Sequence, residues 1–199
     1  MIKISNNNSK MGGIPSFSLP SGITCSKEAC ATCYTHGCYA HKIEKLRPNV
    51  LRSYQENYNE CLHNLAAVEQ FFMYYFKAAC SPRLFRIHVS GDFYSADYFH
   101  MWLRIAAANP NTTFLAFTKQ YEMIKNDLGQ LPDNFKLVWS AWPNVEIPAD
   151  VRKTLPIAWM QDGTESRIPD GAIQCVGDCQ ACNAKCWTLH GNDVVFRKH

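Results

Sequence analysis

An α/β fold with mostly parallel strands, laid out as an open or partial (βα) barrel, is predicted by three features of the sequence. Long apolar patterns at helical spacing precede Pro82, short apolar runs alternate with helical stretches after it, and cysteines crowd into two short segments near the ends. At 199 residues the chain fits one domain with a sizeable core. It divides into an irregular arm (1–24), a first cysteine loop (25–40), an α/β core (41–170), and a second cysteine loop with a C-terminal tail (171–199).

Residues 11–24, MGGIPSFSLPSGIT, hold three glycines and two prolines and read as an arm outside the core. From His41 to Ala79, apolar residues at helical spacing, among them Leu46, Val50, Tyr54, Leu62, Leu65, Val68, Phe72 and Phe76, predict two helices or one interrupted helix. Pro48 suits a helix start. Beyond Pro82 the expected order is strand Phe85–Ser90, helix Ser95–Ala108, strand Thr113–Thr118, helix Tyr121–Leu131, strand Phe135–Trp139, helix Ile147–Leu155 and strand Ile157–Met160. Repeated strand–helix units imply right-handed crossovers and parallel strands. Four units are too few for a closed eight-stranded barrel, so an open or partial barrel completed by the N-terminal helices is expected.

In such architectures ligands gather at the carboxyl ends of the strands. Four loops should therefore line one pocket: Ser90-Gly91-Asp92, Thr118-Lys119, Ser140 to Trp142, and Gln161-Asp162.

An apolar share of 47% and a charged share of 19% belong to a globular protein. The net charge of +3 and the scattered basic residues (Lys42, Lys45, Arg47, Arg83, Arg86, Arg197, Lys198) do not imply nucleic acid. The N-terminal MIKISNNNSK lacks the apolar stretch of a signal peptide, and no window reaches membrane-spanning length, so a cytoplasmic protein without a membrane partner is expected. Ten cysteines in a reducing compartment point to metal in preference to disulfides.

Eight of those cysteines form two quartets. Cys25, Cys30, Cys33 and Cys38 are separated by four, two and four residues; Cys175, Cys179, Cys182 and Cys186 by three, two and three. Each quartet ends in cysteine followed by an aromatic residue, Cys38-Tyr39 and Cys186-Trp187. A zinc ribbon pairs two knuckles set a dozen or more residues apart, whereas a cubane offers four corner irons that a continuous loop with short spacers can reach. The spacing favours two [4Fe-4S] clusters, with zinc as the alternative metal. Because the last cysteine of a run can ligate the other cluster, Cys38 and Cys186 are open to exchange.

Cys61 and Cys80 lie in helical surroundings and read as small buried apolar residues. His36, His41, His63, His88, His100, His190 and His199 show no paired metal spacing; His36 and His41 flank Cys38 and read chiefly as loop histidines. Outside the cysteines, the best candidate for a small-molecule loop is Ile87 to Ser95. Gly91 permits close backbone approach and Asp92 sets a carboxylate at a strand end, or equally caps the following turn. Ser90, Gly91 and Asp92 are the candidate cofactor-binding residues, with Asp92 the candidate catalytic one. Trp139, Trp142 and Trp159, near later strand ends, read as core aromatics or as a cover over a cluster.

With these residues in place the chain resembles the phage "gene product 88" family. The likeness lies in Gly13-Ile14-Pro15, Phe17 to Pro20, Thr24-Cys25, Cys38-Tyr39-Ala40, Asn49-Val50, Phe85 to Tyr94, and the CxxC-containing group ending Cys186-Trp187. The resemblance implies a phage or prophage origin and supplies no activity. A weaker resemblance is to radical S-adenosylmethionine enzymes, which join a partial (βα) barrel to a three-cysteine cluster loop and a glycine-acid motif after the next strand. Ser90-Gly91-Asp92 matches that motif. The departures are the four residues between Cys25 and Cys30, one more than usual, and the fourth thiol of Cys38. That likeness implies S-adenosylmethionine at the first cluster, its amino group held by Asp92, and an auxiliary second cluster.

The expected function is thus a two-cluster redox protein acting on a redox partner or a small-molecule substrate. A radical S-adenosylmethionine-type enzyme comes second, and a zinc-stapled interaction module third.

Overall fold

The computed structural model describes residues 1–6, 8–34, 37–78, 81–142, 145–161, 168–189 and 191–197. Among them, strands β1 (Ser16–Phe17), β2 (Leu84–Ile87), β3 (Thr113–Thr118), β4 (Phe135–Ser140), β5 (Ile157–Gln161), β6 (Ile173–Gln174) and β7 (Val194–Arg197) form one sheet. Its order is β1-β2-β3-β4-β5-β7-β6. Every neighbouring pair is parallel, and the sheet does not close on itself. The α/β class and the parallel strands expected from the strand–helix alternation are therefore present, but the strands lie in one open seven-stranded sheet where an open or partial barrel was expected.

The helices begin and end where backbone chemistry dictates. Pro48 lacks an N–H and holds Arg47 in an extended conformation (φ −133°, ψ 80°), which separates α2 (Tyr39–Leu46) from α3 (Pro48–His63). A second break at Asn64 (φ −140°) separates α3 from α4 (Leu65–Lys77). Three helices stand where two, or one interrupted helix, were expected. In α5 (Ala96–Ala108) the Ser95 hydroxyl caps the first turn by accepting from the Tyr98 N–H, and Asp97 lies at the positive end of the helix. The helix expected to run to Leu131 is confined to α6 (Tyr121–Ile124), and α7 (Ala149–Thr154) follows Pro148. A three-residue helical turn, α1 (Lys27–Ala29), leads into a π-helical turn, Cys30–Tyr34.

Two expectations about the ends are corrected. The arm is not peripheral: β1 pairs with β2, and Phe17 and Leu19 are fully buried. The glycines and prolines on either side leave an extended stretch whose alternate side chains, Phe17 and Leu19, turn inward. The C-terminal segment is no mere tail either, since it supplies β6 and β7, the latter through the apolar run Val194-Val195-Phe196.

The two faces of the sheet are packed differently. One carries Phe85, Ile87, Phe114, Ala116, Leu137 and Trp159 against the helices. The alternate residues Leu115, Val138, Ala158 and Val194 face the other way and are covered by the second cysteine segment through Ala184, Trp187 and Leu189. The Trp187 indole donates to the Phe85 carbonyl, 3.4 Å away, tying that segment to β2.

Phe72 of α4 is the hub of the helix-covered core. Its ring centroid lies 5.1 Å from Phe17, 4.6 Å from Trp102 and 6.0 Å from Phe85, so arm, helices and sheet meet on one side chain. Phe72→Ala should cost about 3–5 kcal/mol in denaturant unfolding. Phe71→Ala, one position along and 37% exposed, should cost under about 1.5 kcal/mol.

Candidate functional site

The carboxyl ends of β2, β3, β4, β5 and β7 open onto a cavity of about 320 Å³. Cys25, Cys33 and Cys38 form part of its wall, together with Ser90, Gly91, Asp92, Thr118, Lys119 and Ser140 to Trp142. Three of the four loops expected to share a pocket do so. In the fourth, Asp162 lies outside the described residues and Gln161 does not reach the wall.

The first cysteine loop is fastened to this edge through residues 19–25. The Thr24 hydroxyl donates to the Pro20 carbonyl at 2.8 Å and accepts from the Asp92 N–H at 3.1 Å, while the Gln120 amide donates to the Thr24 carbonyl at 3.0 Å. Gly91 lies beneath, with φ +81°, and a Cβ there would stand 2.7 Å from both the Leu19 carbonyl oxygen and the Thr24 hydroxyl. No side chain fits that position. A second fastening uses the buried Glu44 of α2, whose carboxylate accepts from the Ser21 N–H (2.9 Å), the Ser21 hydroxyl (2.6 Å) and the Ser90 hydroxyl (2.5 Å).

Asp92 is buried and heavily engaged. Oδ1 accepts from the Phe93 N–H (2.8 Å) and the Thr118 hydroxyl (2.7 Å), and Oδ2 from the Lys119 N–H (2.8 Å). Burial nevertheless pushes its carboxyl up to about 6. These bonds lock the end of β2 to the end of β3, a positioning role for the residue that the sequence offered as candidate catalyst. Ser90 and Gly91 likewise hold the loop in place.

In the first quartet the Cys33 thiol donates to the Ala29 carbonyl at 3.3 Å and its side chain interacts with that of Cys38, while Cys25 and Cys30 lie within electrostatic reach of Cys38. The Cys38 thiol is held below its ordinary range by the Cys33 side chain and by the N–H groups of His41 and Ala40 at the start of α2. Burial, with Asp92 nearby, pushes Cys25 up to about 12, although the Gly22 N–H reaches its sulfur at 3.4 Å. Cys30 faces elsewhere: its thiol donates to the Gly22 carbonyl at 3.2 Å and lines no part of the cavity. The Lys119 ammonium stabilises the thiolate forms of Cys33 and Cys38, donates to the Ser140 hydroxyl at 2.7 Å and stands 5.8 Å from the Trp142 ring centre.

The second quartet is also drawn together, with Cys175, Cys179 and Cys182 all acting on Cys186. Burial pushes the Cys186 thiol up and the Arg86 guanidinium opposes that shift. The Gly177 N–H reaches the Cys175 sulfur at 3.4 Å, and Cys182 donates to the Cys179 carbonyl at 3.6 Å. Cys175 and Cys179 line a neighbouring cavity of about 280 Å³ that shares Tyr39, Arg86, Val89, Phe196 and Arg197 with the first. All eight cysteines are free thiols. Among the described residues no three His, Cys, Asp or Glu side chains stand close enough to hold one metal ion, so neither quartet is preformed around a single ion.

Several residues of the site were not singled out by the sequence. Arg86 and Glu44 sit at interior positions of a strand and a helix, where charge is costly unless matched. His88, at φ 62°, is buried, lies 2.8 Å from the Tyr98 hydroxyl through Nε2, and has no partner for Nδ1 among the described residues. Burial and the adjacent Arg86 push its imidazole down to about 3. Cys61 is core, as expected; Cys80, His36, His190 and His199 lie outside the described residues. His41 packs 4.1 Å from the Tyr34 ring, His63 lies 2.8 Å from the Asn59 carbonyl, and His100 pairs with Asp127 at 3.0 Å. Trp142 and Trp159 line the cavity, and Trp139 is buried beside it.

Fold and site together define an open, all-parallel α/β protein in which thiols of both quartets line adjoining cavities, Cys25, Cys33 and Cys38 on one and Cys175 and Cys179 on the other. The family model for gene product 88 matches residues 2–191, and the chain belongs to that family. It is 30% identical over 202 residues to the Gene 88 protein of Mycobacterium phage L5, covering 90% of this chain and 84% of the relative. It is also 32% identical over 151 residues to the Gene 88 protein of Mycobacterium phage D29, covering 70% and 62% respectively. No solved structure matches it significantly.

Gly91→Ala should destabilise the protein by about 2–4 kcal/mol in thermal or denaturant unfolding, since backbone strain and collision add. Gly171→Ala, at a similar φ of +85° but with open space around it, should cost about 1–2 kcal/mol.

Proposed function

We propose that this chain is a phage-encoded iron–sulfur protein that holds one [4Fe-4S] cluster on Cys25, Cys30, Cys33 and Cys38 and another on Cys175, Cys179, Cys182 and Cys186. We further propose that it transfers electrons in the host cytoplasm. The carrying observation is that each short segment holds four free thiols with a cation acting on some of them, Lys119 on Cys33 and Cys38 in the first and Arg86 on Cys179 and Cys186 in the second. Clusters bound by four thiolates carry net negative charge, and buried charge needs a counter-charge. N–H groups aimed at sulfur, from Gly22, Ala40 and His41 in one loop and Gly177 in the other, are the contacts that tune cluster potential. When bound, such clusters supply one-electron chemistry; the chain's part is to hold them, shield them and offset their charge.

Protein purified without oxygen should be brown and contain about eight irons and eight acid-labile sulfides per chain. Replacing Cys179 and Cys182 together by Ser should remove about half of both while leaving the chain folded. Stoichiometric zinc without sulfide would exclude the assignment and favour the zinc-stapled module.

A second reading, the radical S-adenosylmethionine-type enzyme, draws support from one feature: Cys25, Cys33 and Cys38 face the cavity whereas Cys30 does not. A cluster on those three thiols would present an unligated iron to a small molecule. On that reading Cys30→Ala would keep its iron, and reduced protein would convert S-adenosylmethionine to 5′-deoxyadenosine and methionine. Cluster loss in Cys30→Ala without turnover in the unmodified protein would leave the electron-transfer reading.

A further inference from the structure

The cavity wall carries three cationic side chains, Arg86, Lys119 and Arg197, and one carboxylate, Asp92, together with His88. Asp92 has both oxygens committed to Thr118, Lys119 and Phe93, and His88 is held neutral by burial. The charge that faces the cavity is therefore positive at its two ends. Lys119, bonded to Ser140, marks the end beside the first quartet. Arg86 and Arg197 mark the other, where this cavity adjoins that of the second quartet.

Arg86 is built as a recognition group. Its Nε donates to the His88 carbonyl at 3.1 Å, and its guanidinium lies 4.0 Å over the Phe117 ring, so the side chain is held at both its stem and its face. No described residue hydrogen-bonds its terminal nitrogens, which leaves the planar fork available for a carboxylate or phosphate. Its charge is shared electrostatically with Cys179 and Cys186. Phe117, with Phe196 5.7 Å from it between ring centres, adds flat apolar wall beside it.

We propose that the Arg86–Arg197 end of this cavity binds a small anionic molecule with a flat apolar body, of the aryl phosphate or aryl carboxylate class. The site adjoins the second quartet, whose counter-cation is Arg86, and shares its cavity with Cys25, Cys33 and Cys38. Small-molecule clefts have this composition, mostly apolar walls with a few charged groups fixing orientation, and in parallel α/β sheets they lie at the carboxyl ends of the strands.

Isothermal titration of the anaerobically purified full chain with phenyl phosphate, with inorganic phosphate and benzoate run alongside, tests this directly. Phenyl phosphate should bind saturably and more tightly than inorganic phosphate, with affinity falling as salt rises. Arg86→Met should weaken it about tenfold or more, because a charge-assisted fork is lost. Arg197→Met, an exposed residue at the end of β7, should weaken it several-fold without disturbing the core. Arg83→Met, an exposed residue outside the cavity, should leave binding unchanged. Heat-free titrations of the unmodified protein, or equal affinity in the unmodified, Arg86→Met and Arg197→Met proteins, would overturn the proposal. Binding that survives in a zinc-containing, sulfide-free preparation would retain it while removing the cluster assignment; iron and sulfide without binding would do the reverse.

Discussion

The contact of Leu19 and Thr24 with the bare backbone of Gly91 sets the geometry on which the rest of the site depends. Because nothing larger than hydrogen fits at Gly91, the strand leaving β1 can press against the loop leaving β2, and the chain enters the first cysteine segment directly above the sheet edge. Asp92 extends the same seam to β3 by accepting from Thr118 and the Lys119 N–H, and its own N–H donates to Thr24. Glu44 closes it from the far side of the cysteine loop, where its carboxylate joins Ser21 to Ser90. Each bond satisfies a buried polar group, so loss of one partner would leave its mate desolvated. A loop of irregular backbone is thereby held firmly enough for three thiols to face one cavity.

The opposite face of the sheet explains why the second quartet belongs to the same structure. Strand alternation turns Leu115, Val138, Ala158 and Val194 away from the helices, and those side chains need cover of their own. The C-terminal segment supplies it with Trp187 and Leu189, and β6 and β7 bind its flanks into the sheet. Arg86 lies on this face among apolar neighbours. Its tolerance there rests on Phe117 beneath it and on the thiols of Cys179 and Cys186 near it, which links a costly buried charge to the second quartet.

Much of this was legible in the residues. Short apolar runs alternating with helical stretches located β2 to β5, and Thr113–Thr118 falls at its expected limits. The carboxyl-end rule placed Ser90 to Asp92, Lys119 and Ser140 to Trp142 on one cavity before any coordinates. What escaped was short or depended on partners. β1 and β6 have two residues each, too few for periodicity, and β1 is specified by pairing with β2. Arg86 reads as an ordinary strand residue until Phe117, 31 residues further along the chain, comes beneath it in the neighbouring strand. Asp92 was visible, but the three donors that occupy its carboxylate were not, because they come together only in the fold.

The central claim is that the two quartets hold four-iron clusters at neighbouring positions. Diffraction from anaerobically grown crystals, recorded above and below the iron absorption edge, examines that claim at the atoms concerned. The account predicts iron anomalous density enclosed by Cys25, Cys30, Cys33 and Cys38, and a second such feature enclosed by Cys175, Cys179, Cys182 and Cys186. A lone tetrahedral ion at either quartet, with signal at the zinc edge and none at the iron edge, would contradict it.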